Sequence, residues 1–357
     1  MPKLWTYLIK KFFVQFLFSL IGIIIFLIVI RFNAIAGFAT SGTDFILIIK
    51  FIGLLIPYVL PLAIPISTLN AALLVSRRLC QEKHLTTIRS GSVSIFSIFT
   101  PLILVFTLLG AVNFFTAATL APLSKVKSKA LVYDTTIEHP LFITQSSCPI
   151  KIRKMYTDVG KNSSKDSAYD LLMAFKNTKN ERISLLIADR LYVKKGLLKG
   201  KNLAIISSVK SSNKDLQDDL LIENDAFMST DTHVVDALLY VDDSVKGVEY
   251  LDFFQLIKKL DDKPFFKTEL FQHLNLTLAP LSFGLLGLCF GLSISRKTNN
   301  KSLFIAISLA TLFIVTIISI KSLRNLPYLT LAIYAGVHML LFLMSFLKLK
   351  RIEKGIE

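Results

Sequence analysis

Cysteine is scarce in this sequence, and over long stretches charge is missing altogether. Only three cysteines, Cys80, Cys148 and Cys289, occur in 357 residues. Each falls in a different compartment once the uncharged runs are taken as membrane spans, so no disulfide closes within the chain. The histidines, His84, His139, His233, His273 and His338, have no metal-ligand spacing. Gly-x-Ser-x-Gly, His-Glu-x-x-His and paired His and Cys patterns are all missing. An enzyme would have no catalytic residues to use, and no metal or cofactor is expected. One stretch comes near a phosphate loop, GLLKGKN at 196–202. Three residues instead of four separate its glycines, and Asn follows its Lys, so it reads as a hairpin turn. If the protein uses ATP, a separate chain must bind it.

What the sequence has in abundance is apolar length. Hydrophobic residues make up 53% and charged ones 18%, and the mean hydropathy is +0.58, values that belong to a membrane protein. Runs without Asp, Glu, Lys or Arg extend over Phe12–Ile30, Phe51–Ser76, Ser90–Ser124, Leu270–Ser295, Ser302–Ile320 and Asn325–Leu347. Each can cross a hydrocarbon core of roughly 30 Å, which takes about 20 helical residues. Six transmembrane helices are therefore expected. The first run could be a signal peptide, with AIA at Ala34–Ala36 as a cleavage site. It is longer than the roughly 7 to 15 residues of a signal core, and reads as an uncleaved anchor.

Basic residues set the orientation. With the N-terminus inside, Lys3, Lys10 and Lys11, then Arg77, Arg78, Lys83 and Arg89, then Arg296, Lys297 and Lys301, and last Lys348, Lys350, Arg351 and Lys354 all lie on the cytoplasmic side. Only Arg31, Lys50, Lys321 and Arg324 flank the outer segments. The net charge of +16 thus gathers at an anionic leaflet and is no sign of nucleic acid.

Between the third and fourth runs, residues 122–272 carry 23 basic and 21 acidic residues, an ordinary soluble composition. This segment is expected outside the membrane as one domain. LLMAF, RISLLIADRLYVKKG, KNLAIISSV and DDLLIENDAFMST read as strands between turns. An antiparallel sandwich or half-open, jellyroll-like roll follows, with loops at 161–167 and 211–219. The expected organisation is three helices in 1–121, the β-domain in 122–272, and three helices with a basic tail in 273–357.

A charged loop separates the second and third runs. Within it Leu79, Leu85 and Ile88 form an apolar stripe, while Arg78, Gln81, Glu82, Lys83 and Arg89 surround it. A short amphipathic helix over 77–91 is expected at the inner membrane face. It is either an interfacial turn that holds topology or a coupling helix for a cytoplasmic motor.

The loop sequence RLCQEKHLTTIRSGSVS, Arg78–Ser94, resembles the segment between the second and third spans of the lipopolysaccharide export permeases LptF and LptG, the YjgP/YjgQ family. The resemblance covers the whole chain, and RFNAIAGFATSG after the first run leans towards LptF. Two positions depart from the family pattern: His84 stands at its usual Glu, leaving Glu82 nearby, and Ser92 stands at its usual Gly, with Gly91 one place early. The resemblance implies an inner-membrane heterodimer of LptF and LptG, two copies of the ATPase LptB that bind the ATP, and transfer of lipopolysaccharide to LptC. Contact with the ATPase would fall on Arg78, Glu82, His84, Arg89 and Gly91.

Lipid phosphates would need cations at the outer rim, for which Arg31, Lys321 and Arg324 are candidates; charge there can also simply anchor a helix. Pro57, Pro61 and Pro65 share one face of the second span, as a hinge or as a fixed bend. Gly284, Gly287 and Gly291 in the fourth span point to close helix packing. A permease of another ABC-type system and a membrane anchor that merely displays the outer domain are the alternative functions.

Overall fold

The computed structural model describes residues 2–39, 44–82, 95–138, 150–152, 155–158, 167–176, 183–194, 197–209, 219–231, 250–260, 262–292, 300–323 and 325–353. Its helices are α1 (Pro2–Ile30), α2 (Phe32–Ala39), α3 (Phe45–Gln81), α4 (Ile95–Phe115), α5 (Ala121–Glu138), α6 (Phe253–Lys258), α7 (Pro264–Gly291), α8 (Asn300–Ile320) and α9 (Pro327–Glu353). One π turn, Thr116–Leu120, joins α4 to α5 without a break. Among the described residues six helical stretches are long and apolar enough to cross a membrane, as expected from the uncharged runs.

The helices outrun those uncharged runs. Lys3, Lys10 and Lys11 lie inside α1, Arg77 and Arg78 inside α3, and Lys267 and Glu269 inside α7. A formed helix continues past the hydrocarbon boundary because its backbone bonds are already satisfied, while long charged side chains reach for water. At 37 residues, α3 is about 55 Å long, far more than the membrane core needs. Arg77–Gln81 therefore close a spanning helix instead of opening a separate one over 77–91. Residues 83–94, with His84, Arg89 and Gly91, lie outside the described residues.

The chain divides into two units. The helical unit comprises Met1–Phe32, Ile52–Lys127 and Lys246–Glu357; the second comprises Asn33–Phe51 and Ser128–Val245. Residues 246–272, expected in the β-domain, thus group with the helices, because α7 starts at Pro264 despite its early charges.

Aromatic rings tie the helical core together. Phe12 of α1 meets Phe106 of α4 edge-on at 5.3 Å, and Phe283 of α7 meets Phe313 of α8 at 5.0 Å. All four rings are buried. Between α7 and α9 a polar contact replaces apolar packing: Ser282 Oγ lies 2.9 Å from His338 Nδ1, and His338 Nε2 lies 3.2 Å from the Asn275 carbonyl. That carbonyl can only accept, so Nε2 carries a proton.

In the second unit six strands form one antiparallel sheet in sequence order: β1 (Ile150–Ile152), β2 (Met155–Asp158), β3 (Ser167–Lys176), β4 (Ile183–Lys194), β5 (Leu197–Val209) and β6 (Asp219–Asp231). Lys194 of β4 pairs with Leu197 at the start of β5. Most of GLLKGKN is therefore strand, not turn: its alternation lets Leu197 and Lys199 enter the ladder with β6.

The ladder of paired residues skips one row. Asp170 and Asn202 have left-handed φ values of 50° and 51°, which these two residue types tolerate. Asp189 of the intervening strand accepts a bond from Asn202 Nδ2 at 2.9 Å. Next to that row Leu171, Ala188 and Leu203 pair across three strands and are buried. Their neighbours Leu172, Ile187 and Ala204 pair on the opposite face. There Leu172 and Ile187 are exposed, as is Ile222 opposite Ile206.

Candidate functional site

Two cations converge on one aromatic ring. Arg31 follows the last turn of α1, Tyr58 belongs to α3, and Lys125 to the first turns of α5. Arg31 Nη2 donates to the Tyr58 hydroxyl at 2.6 Å, and its guanidinium lies 4.7 Å from the ring centroid. The Lys125 ammonium lies 4.9 Å from the same centroid. Like charges repel, but the ring's negative faces and the hydroxyl offset that repulsion and hold both near Tyr58. The result is a fixed point of positive charge where α1 ends, with Arg31 exposed and able to bind an anion.

Of the three expected head-group residues, the structure describes the surroundings of Arg31 alone. Arg324 and the Lys321 side chain lie outside the described residues, although the Lys321 backbone belongs to a short 3-10 turn after α8. Lys125 and Tyr58 are candidates that the structure adds. The cue for Lys125 is its place one residue beyond the third uncharged run, which ends at Ser124.

The prolines come next along α3. Pro57, Pro61 and Pro65 all lie within the helix, which runs on through them. Opposite them on α4, Asn113 is completely buried and donates Nδ2 to the Pro61 carbonyl at 3.2 Å and to the Leu276 carbonyl of α7 at 2.6 Å. Past this level the helices pack through glycine. A Cβ on Gly287 would lie 2.6 Å from the Leu69 carbonyl oxygen of α3, and one on Gly291 would lie 2.8 Å from that of Leu73. One on Gly284 would enter the Phe106 ring. The close packing expected of these glycines is present.

At the far end of α3 the chain forms a small cleft against α1. Arg78 and Glu82 line it with Tyr7, Lys11 and Gln15, and Leu8, Val75 and Leu79 close its base. Lys11 lies 5.4 Å above the Tyr7 ring. A single helix therefore carries Tyr58 about a third of the way along it and Arg78 in its last turn. Among the described residues no group of three or more His, Cys, Asp or Glu could hold a metal ion.

The family model described as lipopolysaccharide export system permease LptF/LptG matches residues 6–351. The chain belongs to the LptF/LptG family. No match to a curated protein was found. An LptF/LptG permease is a transport component and not an enzyme. With six helices able to span the bilayer, this one is a multi-pass membrane protein.

Proposed function

We propose that this permease takes lipopolysaccharide from the outer leaflet of the inner membrane and passes it to a periplasmic bridge. It acts as one half of an LptF and LptG heterodimer, and RFNAIAGFATSG favours the LptF half. An LptB-like ATPase dimer binds at the cytoplasmic side through Arg78, Glu82, His84, Arg89 and Gly91. The sheet belongs to a periplasmic, jellyroll-like domain that hands the lipid to an LptC-like partner. The carrying observation is the pair of cations, Arg31 and Lys125, around Tyr58 on the helix whose other end bears Arg78 and Glu82.

The chemistry of the cargo fits this arrangement. A lipid phosphate needs cations at the outer rim, and arginine's planar fork matches phosphate oxygens. Moving one acyl chain of about 14 carbons into water costs roughly 11 kcal/mol at about 0.8 per methylene, so several chains need an apolar path. Leu172, Ile187 and Ile222 offer such a surface on one face of the sheet.

The test is a pull-down through this chain from mild detergent, with all candidate partners co-expressed. An ATPase should co-purify, and Glu82→Ala or His84→Ala should release it or stop lipid-stimulated hydrolysis. If no ATPase comes down, or if both variants behave as the native chain, the motor does not act through this loop. A different bound lipid would point to another ABC-type permease.

A further inference from the structure

A helical carbonyl accepts the amide four residues further on, and a proline there leaves it without that partner. This happens in two neighbouring helices. Pro65 deprives the carbonyl of Pro61 in α3, and Pro280 deprives that of Leu276 in α7. These are the two carbonyls that Asn113 bonds. Its Nδ2 has two hydrogens and both acceptors are carbonyls, so the orientation of the amide is fixed. Thr116 Oγ1, at the start of the π turn, lies 2.8 Å from the Asn113 carbonyl and 3.3 Å from Oδ1. No other side chain of similar size supplies two hydrogens and an acceptor from one short stem.

The helices differ on the two sides of this point. Towards Gln81, α3 is pressed against α7 by backbone contact at Leu69 and Leu73. On the same side Gly110 of α4 lies against α7, where an added Cβ would be 2.6 Å from the Thr277 carbonyl oxygen. Towards Phe45, an added Cβ on Gly53 would meet nothing within 4 Å. On the first side backbone meets backbone at these glycines; on the second Leu55 and Val59 are buried beside an open Gly53.

We propose that Asn113 is a latch: it ties the proline steps of α3 and α7 to α4, and the segments beyond it, including Tyr58, swing when it lets go. Asn113 is a positioning residue, since its effect on Arg31 and Lys125 passes through α3. The latch goes beyond the transport reading and does not depend on which lipid is carried.

Spin labels at Ile56→Cys on α3 and Leu274→Cys on α7, both exposed and on the Phe45 side of Asn113, report the motion in the full-length chain with its native cysteines replaced by serine. Pulsed electron spin resonance should give one narrow distance with Asn113 present. Asn113→Leu should broaden it, lowering the latched-to-unlatched ratio by about tenfold, the worth of two interhelical bonds in a membrane protein. Adding Pro65→Ala and Pro280→Ala returns an amide to each carbonyl and should restore a narrow distance. A distance unmoved by Asn113→Leu, or broadening that persists without the prolines, overturns the latch. If Asn113→Leu alone does not fold, the triple variant decides. It should unfold at the same temperature as the double proline variant, and a clear drop below that temperature also overturns the proposal.

Discussion

Tyr58 shows how a single residue can set the electrostatics of a rim. Its ring and hydroxyl hold Arg31 directly and draw Lys125 within 4.9 Å. Arg31→Ala and Lys125→Ala should each weaken lipopolysaccharide binding by about tenfold, as expected for a charge-assisted contact to phosphate. Tyr58→Phe keeps the ring and removes the hydroxyl, so it should weaken binding less than Tyr58→Ala. Equilibrium binding of fluorescent lipopolysaccharide to the purified chain measures all four; equal losses in both Tyr58 variants would remove the ring from the account. The sequence exposed Arg31 because it ends an uncharged run. Lys125 likewise follows an uncharged run, but it reads as the first charge of the soluble segment until α5 is seen to continue through it. Asn113 was hidden for another reason: its acceptors, Pro61 and Leu276, come from distant parts of the chain.

Whole elements were easier to read than their ends. The six spanning helices follow from apolar length, and Gly287 and Gly291 announced a helix contact by their spacing. What spacing leaves open is the partner, which is α3 at Leu69 and Leu73. Gly287→Leu or Gly291→Leu should therefore destabilise the chain by about 1–3 kcal/mol, because a rigid backbone lies where the new side chain must go. Gly22→Ala and Gly336→Ala meet nothing within 4 Å and should change stability by less than about 1 kcal/mol. Thermal unfolding of the purified chain compares them, and similar effects in both pairs would contradict the packing described for α3 and α7. The ends of α3 and α7 lie beyond the uncharged runs, because charge does not stop a formed helix. It marks only where a helix leaves the hydrocarbon, as Arg77 and Lys267 do.

At the scale of the molecule, the chain divides into a helical unit and a second unit that holds the sheet. The helices bring Arg31 and Lys125 to Tyr58, and the sheet exposes Leu172, Ile187 and Ile222 on one face. Strands were legible from alternation in β3 to β6, but not the left-handed backbone angles at Asp170 and Asn202, which composition does not fix. The most direct measurement of the central claim is photo-cross-linking from a light-activated side chain placed at Ile187 in the reconstituted complex. Cross-links to lipopolysaccharide should form when ATP is supplied and fall away without it, or when Arg31 and Lys125 are both replaced by Ala. Cross-links that never form at Ile187, or that form equally without ATP, would contradict a permease that drives lipid from the cation rim onto the sheet.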